Sequence, residues 1–373
     1  MSVQVCRWGI VSSASIGRKN WQAIGRSGNG VVHAVSSRSV ESANRFIDEN
    51  MEHYALPTRP KAYGSHEELL NDPDIDAIYV PLPTGLRKDI VIAAAQKGKH
   101  VLCEKPCAIS AADLDEMIAA CNENGVQFMD GVMYMHTERL NEMRKVVDNP
   151  EIVGKLKRVA TQFSFCHAPD EFFRENIRSD ASLEPQGCLG DLGWYTIRFT
   201  LWALNGDLPT SVRGRILSSV PSTSGGPDVP TEFSGEMIFE NGVSASMYVS
   251  FITGHQQWGV VSGTKGLMQV SDFVLPNVGK QLHFETRVSD FNKSGWDFDM
   301  VCDRQSMATE EESNMGVNAQ ETRLFRNFGN IVLEGKPDMF WPDISMKTQL
   351  ILDALLESGR NDGCDVELKV EMV

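Results

Sequence analysis

Positive charge is scarce in this 373-residue chain: 35 lysines and arginines stand against 50 aspartates and glutamates, a net charge of -15. So acidic a molecule repels phosphate backbones and anionic headgroups at long range, which excludes a broad nucleic-acid or anionic-membrane surface. Long apolar runs are missing too. No stretch approaches the roughly 18 residues of a membrane span, and Met1 to Arg7 lacks a signal-peptide layout. The eight cysteines (6, 103, 107, 121, 166, 188, 302, 364) form no Cys-x-x-Cys pair and several sit in apolar runs, which suits a reducing cytoplasm. The eight histidines show no ligand spacing, so no metal site is expected.

What is present is enough apolar residue, 42% of the chain, for two ordinary globular domains. Val3 to Val11 reads as a buried strand, and Ser12-Ser13-Ala14-Ser15-Ile16-Gly17 turns it into a helix running to about Arg26. The turn has the spacing of a dinucleotide fingerprint, with Ser12 and Ala14 where glycine is usual and Gly17 alone kept. Small residues still let a backbone approach a pyrophosphate, whose charge the N–H groups of a helix N-terminus stabilise; a plain strand-to-helix turn is the simpler alternative. A second strand, Val31 to Ser36, leads to Ser37-Arg38-Ser39. At this point an acidic residue would hold the ribose hydroxyls of NAD; a hydroxyl and a guanidinium suit a 2′-phosphate instead, so NADP is expected over NAD. Ser39 is also placed to cap the next helix.

The alternation continues with a helix at 40–51, a short strand at 62–64, a Ser65 to Glu68 capping box, a strand at 77–80, a helix from Pro83-Thr84 to Ala95, a fifth strand at 100–103, a helix from Ser110 and a sixth strand at 126–129. Six strands separated by helices predict a doubly wound parallel sheet, the Rossmann arrangement. The fifth strand stops at Glu104-Lys105-Pro106. The carboxyl ends of such strands border the ligand crevice, so Lys105 is delivered where a substrate or cofactor sits, and Pro106 stiffens the exit and admits a cis peptide.

After about residue 135 the pattern becomes a helix near 137–148 followed by strands over 156–165 and 211–288, with a hairpin at Asn241-Gly242 and a turn at residues 263–266. These predict an α+β domain with a mainly antiparallel sheet, so the chain divides at 1–133 and 134–373. Residues 289–316 read as irregular, and helices near 318–334 and 345–358 close the chain. Within the second domain, Gly187 to Arg198 places Asp191 and Tyr195 four apart on one helix face. Glycines at 187, 190 and 193 are expensive in a helix, and close approach of a cofactor or substrate would explain them.

Together these stretches, with Val80-Pro81-Leu82-Pro83-Thr84 and Gly98 to Pro106, resemble the glucose-fructose oxidoreductase, inositol dehydrogenase and MocA (Gfo/Idh/MocA) family, nearest its branch of dimeric dihydrodiol dehydrogenase and NADP-dependent D-xylose dehydrogenase. The resemblance implies an NADP-dependent oxidoreductase acting on a secondary alcohol or hemiacetal carbon of a sugar or cyclic diol. It implies Lys105, Tyr195 and Asp191 as catalytic residues, Tyr195 as general acid/base beside the Lys105 cation and Asp191 holding a substrate hydroxyl or orienting Lys105. Ser12, Ala14, Ser15, Ile16, Gly17, Ser37, Arg38, Pro81, Leu82, Pro83, Glu104 and Lys105 are the expected cofactor contacts. Arg87, where many members carry histidine, is an expected substrate contact with Arg178, Trp194 and Tyr195, and the strand around His255-Gln256 is a further candidate. A homodimer through the C-terminal sheet is implied as well. A cofactor-binding sensor without turnover, and a hydrolase or epimerase that oxidises its substrate transiently, are the alternatives.

Overall fold

The computed structural model describes residues 4–166 and 176–368, which form two compact units. The first comprises residues up to His136, with Ser182–Glu184 and Asn314–Gln349; the second holds Thr137–Ala181, Pro185–Ser313 and the chain from Leu350 onward.

In the first unit, strands β1 (Cys6–Val11), β2 (Gly30–Ser36), β3 (Lys61–Tyr63), β4 (Ala77–Val80), β5 (His100–Cys103) and β6 (Phe128–Asp130) make one sheet in the order β3-β2-β1-β4-β5-β6. Every pairing is parallel. Helices α1 (Ser15–Arg26), α2 (Val40–His53), α3 (His66–Leu70), α4 (Arg87–Gln96) and α5 (Ala111–Glu123) connect the strands. Three of these starts follow side-chain caps: Ser39 accepts from the Ser42 N–H, Ser65 from that of Glu68 and Ser110 from that of Asp113. All four residues of β4 are buried, as sequence without alternation demands of a central parallel strand.

The sheet is completed from far along the chain. Helix α8 (Gln320–Glu334), numbered after α6 (Glu138–Val147) and α7 (Trp194–Ala203) of the second unit, turns Leu324, Phe325 and Phe328 inward. The fully buried ring of Trp8 on β1 meets Phe325 edge-on at 5.0 Å and Phe328 at 5.1 Å, and Tyr79 meets Phe325 at 5.5 Å. Asn29 donates to the Arg326 carbonyl at 2.8 Å, Arg326 returns a bond to the Ser27 carbonyl at 2.7 Å, and Lys19 pairs with Glu321. Helix α9 (Phe340–Arg360) is divided between the units after Gln349.

The second unit holds α6 (Glu138–Val147), α7 (Trp194–Ala203) and a nine-stranded sheet of β7 (Leu156–Cys166), β8 (Ser211–Val220), β9 (Val229–Ile238), β10 (Ser244–Ser250), β11 (Ile252–Gly263), β12 (Gly266–Val270), β13 (Leu282–Ser294), β14 (Asp297–Thr309) and β15 (Val366–Glu367). Its order is β14-β13-β12-β11-β7-β10-β9-β8-β15, with β7 and β10 the parallel pair among antiparallel ones. Alternation is plain in β9 and β10, where Phe233, Met237 and Met247 are buried and Ser234, Glu236 and Ser246 are not.

One expectation is overturned. Much of 289–316 is an ordered hairpin: β13 and β14 pair in register from Leu282 opposite Thr309 to Ser294 opposite Asp297, closing at Gly295, whose φ is +62°. Its outer half is exposed on both faces, so no alternation marks it as a strand. Cross-strand pairing supplies the order: Phe291 stacks on Phe298 at 5.7 Å, and the Lys293 ammonium lies 5.5 Å from the Phe298 ring centre.

Candidate active site

Four strand ends of the first unit, those of β1, β2, β4 and β5, carry the expected nucleotide contacts. Past β1, Ser12 has φ +99°, a conformation glycine adopts freely and serine does not. Local bonds hold it there: its N–H donates to the Ser36 carbonyl at 2.9 Å and its hydroxyl accepts from the Ala14 N–H at 3.3 Å. No side chain caps α1 and its first turn has no acidic residue, so its N-terminal N–H groups keep their positive field. A Cβ on Gly17 would stand 3.2 Å from Phe46, so glycine here lets α1 sit tightly on its neighbours. These residues fit a pyrophosphate: small side chains, an uncapped helix start and close packing behind it.

Past β2, the buried Ser37 hydroxyl lies 3.1 Å from those of Ser13 and Ser42, while Arg38 is exposed and engages no carboxylate among the described residues. Ser39 caps α2, which leaves the neighbouring Ser37 and Arg38 clear of the capping bond. Past β4, Pro81-Leu82-Pro83 leads to Thr84, whose N–H and hydroxyl both donate to the Glu184 carboxylate, at 3.0 and 2.7 Å. A cleft of about 510 Å³ beside this corner is lined by His66, Leu82, Thr84, Leu86, Ile90 and Ile109 among others.

Past β5, Lys105 is half-buried and its peptide bond to Pro106 is cis, as the sequence allows. The residue before it is pinned by its side chain. Glu104 accepts from the Tyr79 hydroxyl at 2.5 Å and the Lys105 N–H at 3.3 Å, and Asn20 donates to Tyr79 at 2.6 Å. Burial, then the Glu104 charge, raises the Tyr79 hydroxyl well above its ordinary range, so Tyr79 remains a donor. Asn20, Tyr79 and Glu184 went unnoticed in the sequence. Of these, Tyr79 alone offers a signal: a hydroxyl in a fully buried strand needs a partner.

Arg87 departs from expectation. It is buried, its Nε donates to the Leu82 carbonyl at 2.7 Å, and its Nη1 donates to the carbonyls of Glu104, at 2.8 Å, and Pro106. These bonds give it a main-chain duty that the sequence reading did not foresee.

In the second unit, Leu189–Gly193 forms a π-turn that runs into α7, so Asp191 and Tyr195 lie on either side of a π-to-α junction. Arg178 donates through Nε to Asp191 at 2.7 Å, which joins two expected site residues. Tyr195 is largely buried, its ring edge-on to Phe163 at 5.7 Å. Trp194, also expected at the substrate, has no exposed surface and packs in the core of the second unit. Burial, then the charges of Asp191 and Glu232, pushes the nearby Cys188 thiol well above its usual range.

Two of the glycines also have a reason other than a ligand. Gly187, at φ +51°, would place a Cβ 2.2 Å from the Pro230 carbonyl oxygen, and a Cβ on Gly193 would stand 2.9 Å from Leu189 and 3.2 Å from Met247. They bring the π-turn down onto the sheet.

A parallel sheet in the order 3-2-1-4-5-6, with an uncapped helix after its first strand, defines the dinucleotide-binding class of enzymes. Residues 6–132 match the model of an oxidoreductase family with an NAD-binding Rossmann fold, and residues 140–269 match the GFO/IDH/MocA C-terminal domain. The chain belongs to the Gfo/Idh/MocA family of oxidoreductases.

Among its relatives, D-xylose 1-dehydrogenase (NADP(+)) 2 of Haloferax volcanii is 31% identical over 75% of this chain and 80% of its own. Trans-1,2-dihydrobenzene-1,2-diol dehydrogenase of Xenopus laevis is 28% identical over 72% and 76%. In fold the chain is similar to levoglucosan dehydrogenase solved with NADH and levoglucosan (TM-score 0.79, 18% identity, 98% and 99% covered). It is also similar to aldose-aldose oxidoreductase of Caulobacter crescentus with glycerol (TM-score 0.77, 22% identity, 98% and 100% covered).

Proposed function

We propose that this chain is an NADP-dependent dehydrogenase or reductase that transfers a hydride to or from a secondary alcohol or hemiacetal carbon of a sugar or cyclic diol. The observation that carries the reading is Lys105, held at the end of β5 in the same unit as an uncapped α1 and an exposed Arg38. Bound NADP supplies the hydride donor or acceptor. The α1 N–H groups receive the pyrophosphate, and Ser37 and Arg38 receive the 2′-phosphate. The Lys105 ammonium polarises the reacting oxygen, and the Tyr195 hydroxyl gives or takes its proton as general acid/base. Asp191, tied to Arg178, holds a substrate hydroxyl or orients Lys105. The relatives named for D-xylose, NADP and a dihydrodiol support this substrate class.

The reading extends to a homodimer formed on the second unit's sheet, where Arg213, Arg215, Leu217 and Ile238 are exposed on one face; sedimentation of the purified chain tests it. A reducing cytoplasm suits the eight free cysteines, five of them buried. No helix among the described residues is long and apolar enough to cross a membrane.

The test of activity is nicotinamide absorbance with NADP and NAD against aldoses, inositols and cyclic diols. Turnover with NADP is expected, with Lys105→Ala and Tyr195→Phe each slower by about 10²- to 10⁴-fold. Tight NADP binding with no turnover on any of them would instead mark a sensor, and product without net NADPH would mark a transient oxidation.

A further inference from the structure

We infer that Arg87 is a positioning residue for Lys105, acting through the main chain on both sides of it. This rests on the catalytic reading of Lys105 given above. Lys105 lies between two carbonyls, those of Glu104 and Pro106, and one guanidinium nitrogen of Arg87, Nη1, donates to both. From the same planar group, Nε donates to the Leu82 carbonyl at the end of the neighbouring strand. Three carbonyls from two loops are thereby tied to one rigid fork.

The other side of the segment is held separately, by Tyr79 and the Lys105 N–H on the Glu104 carboxylate. The backbone from which the Lys105 side chain departs is therefore fixed by its carbonyls through Arg87 and by the preceding side chain through Tyr79. A lysine at 87 is a point charge on a flexible stem and cannot reproduce the fork. Arg87 is the first residue of α4 and is buried, so the guanidinium is itself anchored by a helix.

Positioning has a signature that a stabilising role lacks. A side chain displaced by about 1 Å can cost up to roughly 100-fold in rate while ground-state binding is kept. With D-xylose and NADP as the probe, Arg87→Met is expected to lower kcat by roughly 10- to 100-fold. KM, the NADPH dissociation constant from nicotinamide fluorescence and a cooperative thermal transition should all be retained. Arg87→Lys should fall between Arg87→Met and the parent, and it carries the test if Arg87→Met does not fold.

The deciding comparison is the double variant. In a Lys105→Ala background the Arg87 substitution should add little, because the group it positions is gone. A readout independent of turnover is the labelling of Lys105 by trinitrobenzenesulfonate, followed by peptide mass spectrometry. NADPH should protect Lys105 in the parent and protect it severalfold less in the Arg87 variant.

Parental kcat and parental protection in the Arg87 variant would overturn the inference. So would a rate loss that multiplies in full on top of Lys105→Ala. If Lys105→Ala itself turned over like the parent, the catalytic reading of Lys105 would fall and take the inference with it. A slow Lys105→Ala beside a parental Arg87→Met would remove the inference alone.

Discussion

Removing the Arg38 guanidinium should separate the two nicotinamide dinucleotides. Arg38 stands exposed past β2 and engages no carboxylate among the described residues, so Arg38→Ala deletes a charge without stranding a partner. Charge-assisted bonds to a phosphate are worth about 1.5–3 kcal/mol, and an exposed site with mobile counterions belongs at the low end. A loss of about 1.5–2 kcal/mol weakens NADP roughly 10- to 30-fold. NAD lacks the 2′-phosphate and should change by less than about 2-fold. Ser37 stays where it is, because its hydroxyl is held among those of Ser13 and Ser42. Calorimetric titration of both dinucleotides into parent and variant, at low and high salt, measures the difference, and the NADP penalty should shrink as salt rises. Parallel weakening of NADP and NAD, or a parent that prefers NAD, would refute the assignment of Ser37 and Arg38 to the 2′-phosphate.

Acid should expose the contribution of Asp72. Burial alone would raise its carboxyl, but the Asp74 N–H, the Tyr63 hydroxyl and the Lys61 ammonium outweigh that and bring it to about 2. A depressed carboxylate stabilises the fold above its unfolded value and loses that effect as pH falls through the folded one. About 2 kcal/mol should therefore vanish between roughly pH 4 and pH 2, and urea melts should show Asp72→Asn converging on the parent over that window. Glycine substitutions should divide by surroundings. Gly187→Ala meets a backbone oxygen and a left-handed φ and should cost about 2–4 kcal/mol, whereas Gly242→Ala, at φ +75° in open space, should cost about 1 kcal/mol. Equal shifts in the urea midpoints would contradict the packing described for the π-turn.

The nucleotide-binding unit was legible because its strands are short buried runs bounded by caps and glycines, and the caps at Ser39, Ser65 and Ser110 formed where the sequence placed them. Other features depend on direction or partner, which residue types do not encode. Arg87 and Trp194 are large and polar-tipped beside expected site residues, yet one turns to carbonyls and the other to the core. The apolar stripe of α8 was readable as a helix, but nothing in it tells which core it fills. The β13–β14 hairpin was illegible because solvent on both faces erases the two-residue period.

The placement of α8 bears on how the protein is made. Trp8 leaves the ribosome early, while Phe325 and Phe328, which close over it, follow roughly 300 positions later. At about 5–20 residues per second, the nascent nucleotide-binding unit waits on the order of 15–60 s with a tryptophan and a tyrosine of its central strands uncovered. A fragment ending near residue 133 would keep those rings bare for good and should aggregate, which light scattering of that fragment beside the full chain would show.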